Sequence, residues 1–321
     1  MLAHTLERVR GLVDPRDAWI VTSRDLKAEA ESIAPEVPPA QVIGEPVGRN
    51  TAPAMALASW LIQDEGSDSA IAVLPSDHRI EPAERFREEL SRAAKTALER
   101  QAIVTFGIPP TRPETGYGYI EAGDPIAPGS PFHRVSAFRE KPDLATAAKY
   151  LSDGRHLWNA GMFVFPPQVL LGEIRAHEPK IAEALERVPR RRAAREIDDA
   201  IEGFYRDSPS ISIDYAVMER SKKALVARAG FSWDDLGSWE AIGAHGSRDE
   251  SGNVIRGTVL LHDCKAVTAF ADGGLVAAVG VEGLIIVRTK DATLVCRRDR
   301  AQDVRAIVEL LKARKDLDEF L

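Results

Sequence analysis

The sequence predicts an α/β protein: a doubly wound sheet, followed by a small C-terminal β module and a closing helix. Three observations carry that prediction. Strand-like and helix-like segments alternate through the first 110 residues, the βαβ rhythm of a parallel sheet with helices on both faces. The run Ala70-Ile71-Ala72-Val73-Leu74 is continuously apolar, as expected of a strand buried on both faces. From about Gly252 the pattern changes to short strands separated by turns such as Asp272-Gly273-Gly274.

Taken in order, Leu2, Leu6, Val9 and Val13 are spaced as one helical face. Asp17 to Thr22 reads as a strand, and Ser23 to Ile33 as a helix opened by a serine cap. Gln41 to Ile43 is a short strand. Thr51 to Asp64 is an alanine-rich helix capped by Asn50 or Thr51. The 70–74 strand stops at Pro75, which has no N–H to donate to a ladder. An amphipathic helix (Pro82 to Arg100) and a strand (Ala102 to Gly107) follow. Beyond residue 110 the rhythm loosens into sheet insertions, with helices near Leu144 to Leu151, Pro167 to His177 and Ala193 to Phe204. Late strands are expected at Val254-Ile255, Thr258 to Leu261, Leu275 to Val279, Leu284 to Val287 and Thr293 to Cys296. A helix from Ala301 to about Leu317, with Val304, Ile307, Val308 and Leu311 on one face, closes the module. The boundary falls near residue 250, dividing the chain into 1–250 and 251–321.

An apolar fraction of 44% and a charged fraction of 28% are ordinary for a soluble globular protein. A net charge of −7 argues against nucleic acid as a partner. It leaves room for a small phosphorylated ligand, which needs only a local basic cluster. Cys264 and Cys296, both in apolar stretches, read as buried free thiols of a reducing, cytoplasmic compartment. No run approaches the about 18 apolar residues of a membrane span. Charge interrupts every apolar step of the opening segment, which therefore does not read as a signal peptide.

Six clusters place polar residues at strand ends or turns. Asp77 and His78 follow Pro75, at the carboxyl end of a strand, where open α/β sheets bind ligands. A carboxylate there suits a hard cation and its phosphate, or else caps a helix. The loop from Glu45 to Ala54 enters a helix N-terminus, a ready anion site. Glu45 could accept both N–H donors of a guanine edge; a solvated Glu on a capped surface turn is the plainer alternative. In Gly116-Tyr117-Gly118 two glycines permit close backbone approach, and an aromatic hairpin explains them equally well. In Arg139-Glu140-Lys141 strand alternation puts Arg139 and Lys141 on one face and Glu140 on the other, unless a bulge re-aims it. Lys141 suits a phosphate and Glu140 sugar hydroxyls; an edge-strand charge pair is the alternative. Asn159 stands at the mouth of an apolar strand beside Gly161 and suits a hexose hydroxyl, or simply turns the chain. Asp234 or Asp235, in Trp233-Asp234-Asp235-Leu236-Gly237-Ser238-Trp239, offers a second carboxylate to pair with Asp77, or a cap.

In this order, GRNTAP, LPSDH, GYGYIE, REKP, WNAGMF and WDDLGSW resemble the sugar-1-phosphate nucleotidyltransferases, in their mannose-1-phosphate guanylyltransferase branch. The resemblance runs from the first residues to the last helix. It implies a Rossmann-like doubly wound mixed sheet of the nucleotide-diphospho-sugar transferase type, with a β-helix-like C-terminal module. The implied reaction transfers GMP from GTP to mannose 1-phosphate, giving GDP-mannose and pyrophosphate, with Mg²⁺ as cofactor and a homodimer left open. By the same resemblance Asp77 and Asp235 hold Mg²⁺, Asp235 being preferred because the family's metal residue sits two after the Trp. Lys141 meets the sugar phosphate, Glu140 and Asn159 orient the mannose, Gly118 contacts the ligand through its backbone, and Glu45 and Asn50 lie at the guanine. The family opens with a strand and a Gly-rich phosphate loop followed by a Pro-Lys pair; this sequence begins at the helix after them. Little transfer activity is therefore expected of the chain as written. The alternatives are another hexose-1-phosphate nucleotidyltransferase, or a catalytically silent paralogue that binds GDP-mannose.

Overall fold

Helix α1 (Leu2–Val9) opens a chain whose computed structural model describes residues 1–63, 69–189, 194–236 and 247–320. Two compact units result, Met1–Trp233 and Asp234–Leu321.

In the first unit, β1 (Ile20–Ser23) and β2 (Val42–Glu45) form a parallel pair around α2 (Lys27–Ile33), and α3 (Thr51–Ile62) follows. Next come β3 (Ile71–Val73), β4 (Arg79–Glu81), α4 (Ala83–Arg100) and β5 (Ile103–Ile108). The hairpin strands β6 (Tyr119–Pro125) and β7 (Phe132–Arg139) lead to α5 (Leu144–Asp153) and β8 (His156–Phe165). Helices α6 (Pro167–His177), α7 (Pro179–Leu185) and α8 (Ala194–Asp207) precede a π-helical turn, Asp214–Met218, and β9 (Ala224–Arg228).

Six of these strands form one mixed sheet in the order β3-β8-β5-β9-β7-β6. Side chains alternate across it as the pleat requires. Phe163 and Phe165 of β8 join Leu57, Leu170, Ile174, Phe204 and Val217 on one face. Met162 and Val164 join Phe86, Leu90, Phe106 and Phe231 on the other. Both faces are therefore covered, as a doubly wound sheet demands.

The structure corrects several expectations. Strand β3 is not buried on both faces in a parallel ladder: Ile71, Ala72 and Val73 are half-buried, and β3 is an edge strand paired antiparallel to β8. Val21 of β1 packs on the same core as Ile71 and Val73. No ladder joins β1 to β3 among the described residues, so the apolar run lacks a neighbour on one side. Ser23 makes no side-chain cap bond, because a 3₁₀ turn (Arg24–Leu26) intervenes before α2. Helix α7 and the π-helical turn carried no clear sequence signal.

Strand β10 (Ser232–Asp234), which pairs with β4, ends the first unit at Trp233, and the second unit begins at Asp234. There follow β11 (Val254–Arg256), β12 (Val259–His262), β13 (Thr268–Ala271), β14 (Val276–Val279), β15 (Leu284–Arg288), β16 (Thr293–Arg297) and α9 (Val304–Lys312). Strands β11, β13 and β15 stack in parallel in one sheet, and β12 and β14 in another. Alternate strands thus build the rungs of a β-helix around Cys264, Val267, Ala269, Val276 and Ile286. Antiparallel β16 ends the stack on β15. Both cysteines are free, but only Cys264 is buried; the alternation of β16 leaves Cys296 half-buried. The closing helix is shorter than expected, with 3₁₀ turns at each end, and Ile307 and Val308 on its apolar face are exposed. Among the described residues no helix is long and apolar enough to cross a membrane.

Candidate active site

Strand register builds the centre of the site. The β5–β8 ladder slips between Thr105 and Gly107, opposite Asn159. Such an irregularity re-aims a side chain. Asn159 therefore lies within β8, not at its mouth, and its N–H donates to Gly118 O at 2.8 Å. Its carboxamide is held on both sides. Nδ2 donates to Asp214 Oδ1 at 3.0 Å, and Oδ1 accepts from Gly161 N at 3.2 Å.

Gly118 is buried just before β6. A Cβ there would stand 2.5 Å from Glu140 Oε2 and 3.5 Å from Asn159 Cβ, so glycine alone leaves room for the Glu140 carboxylate. Strand β7 ends at Arg139, and Lys141 takes φ +45° immediately before Pro142. That conformation is disfavoured for a non-glycine residue, more so before proline. Strict alternation accordingly gives way: instead of opposing faces, Glu140 and Lys141 turn towards each other, Lys141 Nζ lying 3.0 Å from Glu140 Oε1.

Asp214 opens the π-helical turn, a distortion frequent at functional sites. Burial, and secondarily the Glu140 charge, push its carboxyl up to about 6, while Asn159 and Lys141 pull the other way. Sequence reasoning missed this residue. Its only signal is a lone acid in the apolar stretch from Ile211 to Met218.

The loop after β2 is fixed by its own hydrogen bonds. Asn50, at φ +66°, caps α3 by accepting from Thr51 N at 2.8 Å. Arg49 Nε donates to Tyr205 O, Ala52 N to Ile211 O, and Ile213 N to Thr51 Oγ1, at 2.9, 3.1 and 2.9 Å. The segment ending in Asp214 is thereby stapled to the Glu45–Ala54 loop. Glu45 Oε1 and Tyr205 Oη are buried, and neither makes a hydrogen bond of acceptable geometry among the described residues. The two groups nonetheless lie close enough to influence each other. Burial raises the Glu45 carboxyl while Tyr205 pulls it back, and Tyr205 is pushed well up by burial and by Glu45.

Asp77 projects from a braced turn. Thr5 Oγ1 donates to Ser76 O at 3.1 Å and Arg8 to His78 O at 2.7 Å, both from α1. His78 Nδ1 accepts from Trp233 Nε1 at 3.0 Å. The turn lies beside β8: a Cβ on Gly161 would stand 3.9 Å from Pro75 and from His78. Asp77 is exposed, and no hydrogen bond or ion pair engages it among the described residues. It is thus available as a hard oxygen donor. Asp234 Oδ1 accepts from Leu236 N at 2.8 Å, a turn role. Asp235 is half-buried in the second unit, and Gly237, Ser238 and Trp239 lie outside the described residues. Among the described residues no group of three or more His, Cys, Asp or Glu side chains gathers as a metal cage. Mg²⁺ needs none, being held by one or two carboxylates with substrate phosphates.

The structure thus gathers Gly118, Glu140, Lys141 and Asn159, adds Asp214, and ties Asn50 and Glu45 to them through residues 205–213. A cavity of about 520 Å³ lined by Glu121, His133, Arg155 and Arg228 contains none of them.

Residues 1–251 match the nucleotidyl transferase family, and residues 257–311 the mannose-phosphate isomerase/GMP-like β-helix domain. A mannose-1-phosphate guanylyltransferase of Klebsiella pneumoniae is 42% identical over 84% of this chain and 58% of its own length. The alginate biosynthesis protein AlgA of Pseudomonas aeruginosa is 40% identical over 90% of this chain and 58% of its own. The chain thus spans little more than half the length of these curated relatives. A crystal structure described as mannose-1-phosphate geranyltransferase from Thermus thermophilus superposes with a TM-score of 0.83 at 35% identity, covering 96% of this chain and 88% of that one. The chain belongs to the nucleotidyl transferase family, among the relatives of the mannose-1-phosphate guanylyltransferases.

Proposed function

We propose that the site is built for the chemistry of guanylyl transfer, in which GMP passes from GTP to mannose 1-phosphate, giving GDP-mannose and pyrophosphate. The observation that carries this reading is the convergence of Gly118, Glu140, Lys141 and Asn159 beside the Asp77 turn. A phosphate oxygen of the sugar phosphate attacks the α-phosphorus of GTP. The new P–O bond forms as the α–β bridge breaks, and pyrophosphate leaves. A phosphate carrying about −1.5 to −2 charge needs no base to activate it. The obstacle is repulsion, about 4 kcal/mol per unit-charge pair at 4 Å and an effective dielectric of 20. Fixed positive charge is therefore the main requirement.

In this reading Lys141 faces the sugar phosphate, Glu140 accepts from a mannose hydroxyl, and the Gly118 backbone touches the sugar. Asn159 contributes the N–H that Asp214 leaves free. Glu45, whose carboxylate lies beside Tyr205 at the end of β2, accepts from guanine N1–H and N2–H, with Asn50 and the α3 terminus beside it. Asp77 would be a ligand of Mg²⁺, which neutralises phosphate charge when bound. The free thiols favour a cytoplasmic setting, the acidic net charge disfavours nucleic acid, and a homodimer fits the reading. Residues 1–250 form the transferase portion and 251–321 the module attached to it.

Calorimetric titration with GTP and inosine triphosphate tests the guanine assignment. The wild type is expected to prefer GTP by roughly tenfold, the worth of one added hydrogen bond to a charged acceptor. Glu45→Gln is expected to abolish most of that preference. An unchanged preference in the variant overturns the assignment.

A further inference from the structure

We infer that Asp214 is a positioning residue for sugar-phosphate recognition: its carboxylate fixes the Asn159 carboxamide so that Asn159 offers the ligand a donor and not an acceptor. This rests on the sugar-phosphate reading above and assigns the role of Asp214 within it.

The geometry is closed on three sides. Asn159 Oδ1 is occupied by Gly161 N at 3.2 Å, and one Nδ2 hydrogen by Asp214 Oδ1 at 3.0 Å. Thr105 Oγ1 lies 3.4 Å from Asn159 Oδ1 but gives its proton to Met162 O at 2.9 Å. One N–H remains. A flipped amide would set its NH₂ against the Gly161 N–H and its oxygen against a carboxylate, losing both bonds. The conformation of Asp214 is itself over-determined. The preceding residue donates its N–H to Thr51 Oγ1, and the π-helical turn begins at Asp214. With Glu140 close by, the site then pairs one donor with one carboxylate, a pattern suited to adjacent hydroxyls on a ring.

Charges facing Asp214 come from the end of β7, where Glu140 opposes its ionisation and Lys141 favours it. The charged groups of α6, which packs on the π-helical turn, are engaged elsewhere: Glu173 with His177 and Lys223, and Arg175 with Glu186. Arg49, on the loop before α3, is bonded to Tyr205 O. Ionisation of Asp214 therefore reports through Asn159, its direct partner.

Two measurements on the full chain decide the matter. In ¹H–¹⁵N spectra the Asn159 side-chain signals, assigned with Asn159→Ser, are expected to shift with a midpoint near pH 6, and to stop titrating in Asp214→Asn. This readout needs no ligand. In calorimetry, Asp214→Ala is expected to weaken mannose 1-phosphate by about tenfold to a hundredfold, the range for losing one charge-assisted hydrogen bond. GTP affinity should stay within about twofold, and Asp214→Asn, which retains an acceptor, should bind the sugar phosphate nearly as the wild type does. Asn159 signals that ignore pH overturn the inference, as does an Asp214→Ala that weakens both ligands equally. If Asn159 titrates but the wild type binds no mannose 1-phosphate, the positioning contact stands and the sugar-phosphate reading falls.

Discussion

Gly118→Ala isolates the crowding at the centre of the site. The backbone at 118 lies outside the left-handed region, so alanine adds no conformational strain. The new Cβ would instead stand 2.5 Å from Glu140 Oε2, and the carboxylate would have to retreat to the 3.4 Å of ordinary contact, about 1 Å away. A 1 Å misplacement of a positioned group lowers efficiency by about a hundredfold. Losing a hydrogen bond to a charged group independently costs about 1.5–3 kcal/mol, tenfold or more in affinity. The expected outcome is a ten- to hundredfold weaker Kd for mannose 1-phosphate with GTP affinity preserved, read by titration calorimetry. Gly172→Ala is the control, because its Cβ meets nothing within 4 Å in α6. It should leave both affinities intact and stabilise the helix by about 0.5–1 kcal/mol. A folded Gly118→Ala that binds mannose 1-phosphate like the wild type would refute the reasoning, because Glu140 would then play no part in holding the sugar.

Further outcomes concern stability. The Asp214 carboxyl sits near 6 in the fold against 3.8 in the free side chain, so its charged form is disfavoured by folding. The resulting destabilisation is absent below pH 3.8, grows between 3.8 and 6, and is constant above 6. Asp214→Asn is therefore expected to raise the melting temperature at pH 8, by at most about 3 kcal/mol in stability at 1.36 kcal/mol per unit, with the gain gone below pH 3.8. A loss of stability at pH 8 would contradict this. Glu89, buried in α4, accepts from Gly230 N at 3.1–3.2 Å and pairs with Arg85 at 2.7 Å. Glu89→Ala should lower stability by about 2 kcal/mol in urea melts, through the unpaired Gly230 N–H; a change under about 0.5 kcal/mol would show that water replaces the carboxylate.

What the sequence made legible, and what it hid, follow from the range of the forces involved. Local signals worked where a local cause decides the outcome. Asn50 capping α3 and the close approach at Gly118, which leaves room for the Glu140 carboxylate, are readable because capping and the absence of a Cβ are properties of single residues. The burial of β3 was misjudged because an apolar run reports the preference of a strand, not the number of its neighbours. Alternation failed at Glu140-Lys141 because Lys141 enters the left-handed region before Pro142, which propensity argues against. Asp214 was invisible because its role depends on Asn159, 55 positions away, and on a π-helical turn that no periodicity announces. In each case the missed feature is non-local or strained, and such features concentrate at working sites.

The most direct test of guanylyl transfer is the affinity of the chain for GDP-mannose in the presence of Mg²⁺, measured by calorimetry against GDP-glucose and UDP-glucose. One binding event clearly tighter for GDP-mannose, and weakened at least about tenfold by Lys141→Ala as a lost charged contact requires, is the expected result. Equal affinity for all three sugars, or an unchanged affinity in the Lys141 variant, would contradict the assignment of this site to GDP-mannose chemistry.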